Sequence, residues 1–280
     1  MARWDNLKNR GKVIDRRGAA PLVGGIGVAG VVLLLGVNFL LGGDLGDAIE
    51  LLEQVPVQTQ TQDTSKFEGA DDYEVFASTV LGSNNSMWQE VFLSQNKNYS
   101  EPTLVLFRGA TASGCGTATS QVGPHYCPVD ETIYLDETFF DELTNRFGAR
   151  GGDVAEAYVI GHEVAHHVQN QLGIMEQVQR MKTNNPRQSN ELSVLLELQA
   201  DCFAGMWAHS IRDRNVFEPG EIAEAMDAAA AVGDDRIQES AGAQVNPERW
   251  THGSSEQRVE WFNRGFETGL LEACNTFEAI

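Results

Sequence analysis

The stretch YVIGHEVAHHVQNQLG, residues 158–173, sets His162, Glu163 and His166 in an HExxH pattern within an apolar, helix-like period. On a helix, His162 and His166 lie one turn apart on one face, about 6 Å along the axis. Two imidazoles so placed reach a single zinc ion, whose bonds to nitrogen are about 2.0 to 2.1 Å. Glu163 falls on the neighbouring face, where its carboxylate meets a water at the metal without becoming a ligand. That is the position of a general base.

A hydrolytic zinc site needs a third protein ligand and one open position. In VLLELQADCFAGMW, Glu197 and Asp201 stand four residues apart in an otherwise largely apolar run. Burying two carboxylates there without a cation would be costly. Glu197 is therefore expected to complete the zinc shell. Asp201, one turn on, is expected to accept a hydrogen bond from the free ring nitrogen of a ligand histidine and fix its tautomer. A tetrahedral oxyanion also wants a donor besides the metal. His252, just before the last helix, and Tyr134 are the candidates. His125, His167 and His209 read as surface or packing histidines, and the GDD of residues 233–235 as solvated acid.

The elements that must position these groups are mostly helical. DDYEVFASTVLG and NNSMWQEVFLSQ read as two helices. TLVLF (103–107) and TIYLD (132–136) read as strands between turn-forming residues. Asp153 is the expected N-cap of the HExxH helix. Ser254 and Gln257 have the spacing of a capping box for the last helix. The expected fold class is mainly α with a small β-sheet, α+β, in residues 71–280.

Residues 21–43, PLVGGIGVAGVVLLLGVNFLLGG, carry no charge and match the roughly 20 apolar residues of a spanning helix. The six basic residues of 1–20 would make that segment a cytoplasmic flank by the positive-inside rule. The reading is a single-pass signal anchor, with residues 44–70 as linker and residues 71–280 extracytoplasmic. Secretion after cleavage is the alternative. The four cysteines suit export, Cys115 pairing with Cys127 and Cys202 with Cys274. Outside the first 20 residues the chain has 14 basic against 38 acidic residues, which excludes nucleic acid as a partner.

GHEVAHHVQ followed by ELQADCFAGMWA, with DRRG, SGCG, YCPVDETIYLD and HGSSEQRVEWFNRGF, resembles the neutral zinc metallopeptidase family of bacteria, of the YpfJ type. HExxH plus ExxxD is more distantly similar to gluzincin peptidases. The resemblance implies a zincin-like domain with one Zn2+, held by His162, His166 and Glu197, with Glu163 as catalytic base and Asp201 behind the ligands. It also implies a peptide or protein substrate paired with an edge strand, for which TIYLD or TLVLF would serve. Two other functions compete: an envelope scaffold with a structural zinc site, and a zinc amide hydrolase acting on cell-wall crosslinks.

Overall fold

A computed structural model describes residues 1–18 and 71–278. The expected spanning segment and linker lie outside the described residues. No helix among the described residues is long and apolar enough to cross a membrane.

Six strands and eight α-helices make up the described chain. The strands are β1 (Val13–Asp15), β2 (Thr103–Phe107), β3 (Ala110–Ser113), β4 (Gly116–Thr119), β5 (His125–Cys127) and β6 (Thr132–Asp136). The helices are α1 (Asp72–Ser94), α2 (Phe139–Asn145), α3 (Asp153–Gln171), α4 (Ile174–Asn184), α5 (Ser189–Ile211), α6 (Ile222–Ala231), α7 (Asp234–Ser240) and α8 (Ser255–Thr268). A four-stranded sheet runs in the order β1-β2-β6-β5, and β3 and β4 form a separate hairpin. The mainly helical α+β class is as expected.

TLVLF and TIYLD are strands, but they pair with each other in parallel at the centre of the sheet. The edge facing the HExxH helix is β5, antiparallel to β6. The expectation that either longer run forms the edge is thus corrected. Runs buried on both faces are the signature of central strands, and the three residues of HYC are too few to carry a pattern.

The two helices expected over residues 71–95 are one, α1. Asp71 and Glu74 close its capping box. Its central polar residues, which look like a break, are buried and partly satisfied: Asn84 Nδ2 donates to the Val80 carbonyl, and Ser83 Oγ accepts from Trp207 Nε1 at 2.9 Å, while Asn84 Oδ1 and Asn85 Nδ2 have no partner. Asp153 is the first residue of α3 rather than its cap, and its carboxylate accepts instead from the Ala2 amide and Trp4 Nε1.

That contact shows where the N-terminus belongs. The Met1 amine pairs with Glu221, Trp4 stacks on Trp207, Leu7 is buried, and β1 pairs in parallel with β2. Arg17 lies among Asp15, Asp71 and Glu137, at 2.6 Å from the last two. Residues 1–18 are therefore part of the same folded unit, which corrects the boundary drawn at residue 20. Arg3 and Arg17 answer carboxylates of this unit, Arg3 pairing with Glu218.

The central pair α3 and α5 holds the core, with α8 packed on α5. The α5–α8 approach depends on two glycines. A Cβ at Gly205 would sit 2.0 Å from the Phe262 carbonyl oxygen, and one at Gly265 would sit 1.9 Å from the Cys202 carbonyl oxygen. The disulfide between Cys202 and Cys274 ties the same region. Cys115 and Cys127 form the second disulfide, so both expected pairings are present.

Candidate metal centre

The apolar period of α3 buries one face and turns His162, Glu163 and His166 toward a cleft of about 550 Å³. Glu197 enters from α5. Donor atoms of His162, His166 and Glu197 lie within 4.8 Å of one another. His162 Nε2 is 3.1 Å from Glu197 Oε2, and His166 Nε2 is 3.5 Å from Glu197 Oε1. Donors arranged tetrahedrally on zinc bonds of about 2.0 to 2.1 Å stand roughly 3.3 Å apart, so these residues fit the ion.

The tautomers fit as well. His162 Nδ1 donates to Asp201 Oδ1 at 2.9 Å, and His166 Nδ1 donates to Gln169 Oε1 at 2.9 Å. Both Nε2 atoms are thereby turned to the metal position, as ligand histidines require. Gln169 is held in turn, its Nε2 donating to the Leu196 carbonyl and to Gln199 Oε1.

Asp201 has no exposed surface and accepts a two-pronged bond from Arg258: Nε to Oδ2 at 2.8 Å and Nη2 to Oδ1 at 2.9 Å. Tyr158 Oη donates to the same carboxylate at 2.6 Å. Burial pushes Asp201 up, but the Arg258 and His162 charges outweigh it and hold the carboxyl below its ordinary value. Burial pulls His162 down, yet Asp201 and Glu197 carry its imidazole up to about 10. Burial likewise raises Glu197, and His166 and His162 overcome it to hold this carboxyl well below its usual range. Arg258 answers Asp201, and the imidazoles of His162 and His166 answer Glu197 with protons that a divalent cation would replace.

Glu163 is buried, and its Oε2 has no hydrogen-bond partner. Such an atom is expensive unless a water or ion fills the space before it.

His252 lines the cleft with these residues, its Nδ1 3.3 Å from Asp234 Oδ1. Asp234 also accepts from the backbone N–H groups of Thr251, His252 and Gly253. The expectation of a solvated GDD is therefore corrected: the first aspartate is buried and braces the loop that carries His252. Tyr134 is not among the cleft residues. Its hydroxyl donates to Asp130 at 2.7 Å, which removes it as a candidate donor. His167 is fully buried, with Nε2 donating to the Ser100 carbonyl and Nδ1 accepting from Tyr126 Oη. His209 donates to the Phe266 carbonyl, and His125 stacks on Tyr134 at the cleft rim.

Gln169, Tyr158 and Arg258 escaped the sequence reading. Only Arg258 carried a local signal, since positions 258, 262 and 265 share one helix face with Phe262 and Gly265, and a charge on an apolar face calls for a buried partner.

Residues 2–277 match the family described as "Putative neutral zinc metallopeptidase". The chain is 42% identical over 285 residues to "Uncharacterized protein YpfJ" of Escherichia coli (strain K12), covering 98% of each chain. It is 40% identical over 256 residues to "Uncharacterized protein Rv2575" of Mycobacterium tuberculosis (strain ATCC 25618 / H37Rv), covering 86% of this chain and 85% of that one. No solved structure matches it. With donors suited to zinc and a match along almost its whole described length, the chain belongs to the neutral zinc metallopeptidase family.

Proposed function

We propose that this protein hydrolyses peptide bonds at one zinc ion held by His162, His166 and Glu197, with Glu163 as general base. The observation that carries the reading is Glu163, which lines the same open cleft as the three ligands and has a buried Oε2 with no hydrogen-bond partner. A structural zinc site is closed by its ligands and has no use for such a carboxylate.

Zinc, when bound, supplies a more acidic water and an electrophile for the scissile carbonyl. Glu163 takes the proton of the attacking water and delivers it to the leaving amine. His252, oriented by Asp234, donates a hydrogen bond to the developing oxyanion. Asp201, fixed by Arg258 and Tyr158, holds the His162 ring with Nε2 toward the metal. An extended peptide lies along β5, whose outer edge has no strand partner among the described residues and whose His125 and Tyr126 line the cleft.

The apolar residues 21–43 attach the protein to a membrane. The packing of residues 1–18 against residues 71–278 supports a reading in which both lie on the same side of it, an alternative to the N-inside, domain-outside arrangement expected from the sequence. The two disulfides support an oxidising compartment for that side.

Chelation tests the hydrolytic reading on the full chain. Cleavage of an unfolded protein is expected to stop when the metal is removed and to return with one equivalent of zinc. Zinc-loaded protein that cleaves no polypeptide would favour the scaffold.

A further inference from the structure

Much of the cleft lining is apolar, and the side chains that make it so come from four separate parts of the chain. Phe139 and Phe147 flank α2, Val159 stands one turn before His162 on α3, and Val232 and Ile237 come from the α6–α7 region. Val122, exposed at 62%, borders the same cleft from the loop that the Cys115–Cys127 disulfide closes. Phe139, Phe147 and Val232 are only partly buried in the core. They line the same cavity as His162, Glu163, His166 and Glu197.

The charged groups nearby do not make this part an ionic pocket. Arg258 is buried and saturated by Asp201. The Arg146 guanidinium lies over the Phe147 ring, 5.3 Å from its centroid, so it covers an aromatic face instead of pointing a free charge inward. Glu142 lines the cleft one turn from Arg146 on the same helix. A side chain that fills the apolar part of the cleft displaces water from at least five hydrocarbon surfaces at once, whereas a charged one meets only Glu142 and Arg146, which are exposed and screened by solvent.

We infer that this pocket selects a large apolar side chain, leucine-sized or aromatic, close to the bond that is cut. Phe147 and Ile237, whose neighbours Gly148 and Arg236 are joined by a hydrogen bond, are specificity-determining residues in its lining. This rests on the reading of the cleft as a peptide site and adds its substrate class.

The test uses the full-length, zinc-loaded Glu163→Gln protein, which holds a peptide without consuming it, beside the wild type. The ligands are blocked Gly/Ser peptides with one central residue: Phe, Leu, Ala, Asp or Lys. Equilibrium binding to Glu163→Gln is expected to be about tenfold or more tighter for Phe and Leu than for Ala, Asp or Lys, the range a well-filled apolar pocket supplies. Phe147→Ala in the same background is expected to lose most of that preference. Ile237→Arg is expected to move it toward Asp, a gain that a misfolded protein cannot show. Equal affinities across the series, or tightest binding of Asp or Lys by the unaltered pocket, overturn the inference. Wild-type cleavage reports separately: a tenfold binding preference with no cleavage of any peptide keeps the pocket and removes the hydrolytic reading, whereas cleavage at equal rates with equal affinities does the reverse.

Discussion

Arg258 donates to both carboxylate oxygens of Asp201, at 2.8 and 2.9 Å, from a helix 57 residues further along the chain. Neither side chain has appreciable exposure. The pair fixes the carboxylate that fixes His162, so a residue with no contact to the metal position governs how the first ligand is presented.

Replacing Arg258 with Met removes this support and leaves the buried Asp201 with only Tyr158 and His162 as partners. Breaking a buried pair on one side costs about 3 to 5 kcal/mol. Loss of the partner that orients a ligand histidine lowers metal affinity about 10- to 100-fold. Thermal unfolding and competition with a chromophoric chelator are expected to show both losses. Asp201→Asn, which keeps an acceptor for His162 Nδ1 but loses the charge, is expected to fall between wild type and Arg258→Met in zinc affinity.

Glu156 gives the fold a pH dependence apart from the metal. Burial raises its carboxyl from 4.5 to about 7, with Asp153 adding to the shift. Between those two values the native protein keeps a proton that the unfolded chain has released. Unfolding then releases a proton, and stability falls as pH rises through that window. Glu156→Gln removes the dependence. Denaturant titrations are expected to show the variant gaining about 2 to 3 kcal/mol on wild type between pH 5 and pH 8. Parallel pH profiles for the two proteins would contradict the assignment.

The close approach of α5 and α8 predicts a large effect from a single methyl group. Gly205→Ala puts its Cβ into the Phe262 carbonyl oxygen, and neither backbone can yield without separating the helices. The expected cost is about 2 to 3 kcal/mol, or roughly 4 to 12 °C in Tm for a unit of this size. Zinc affinity should fall with it, since α8 carries Arg258.

The proposal that residues 1–18 and 71–278 share one compartment is checked by labelling. All four cysteines are in disulfides, so single-cysteine probes at exposed Lys8 and Glu239 report cleanly. Lys8→Cys and Glu239→Cys are expected to react alike with a membrane-impermeant maleimide in intact cells. Reaction at Glu239 alone would separate the two segments and contradict the pairing of β1 with β2.

What the sequence made legible was local. HExxH and ELQAD place their groups by i, i+4 spacing, which a helix turns directly into a shared face, and the Ser254–Gln257 capping box is present as expected. The features that were missed depend on contacts distant in sequence. Arg258 reads as one more charge on an amphipathic helix until Asp201 is beside it. Arg17 resembles the basic flank of an anchor, because the carboxylates of Asp71 and Glu137 that answer it lie 54 and 120 residues away. β5 is three residues long and is defined by its partner strand and its disulfide, neither of which a hydrophobic period can reveal.

The central claim is that Glu163 moves the proton at a zinc ion held by its neighbours. The most direct measurement compares wild type and Glu163→Gln, full chain and zinc-loaded, for metal content and for cleavage of an unfolded protein. The account predicts one zinc per chain in both, with hydrolysis reduced by about 10²-fold or more in the variant, in line with loss of a general base. Cleavage by Glu163→Gln at the wild-type rate would contradict it.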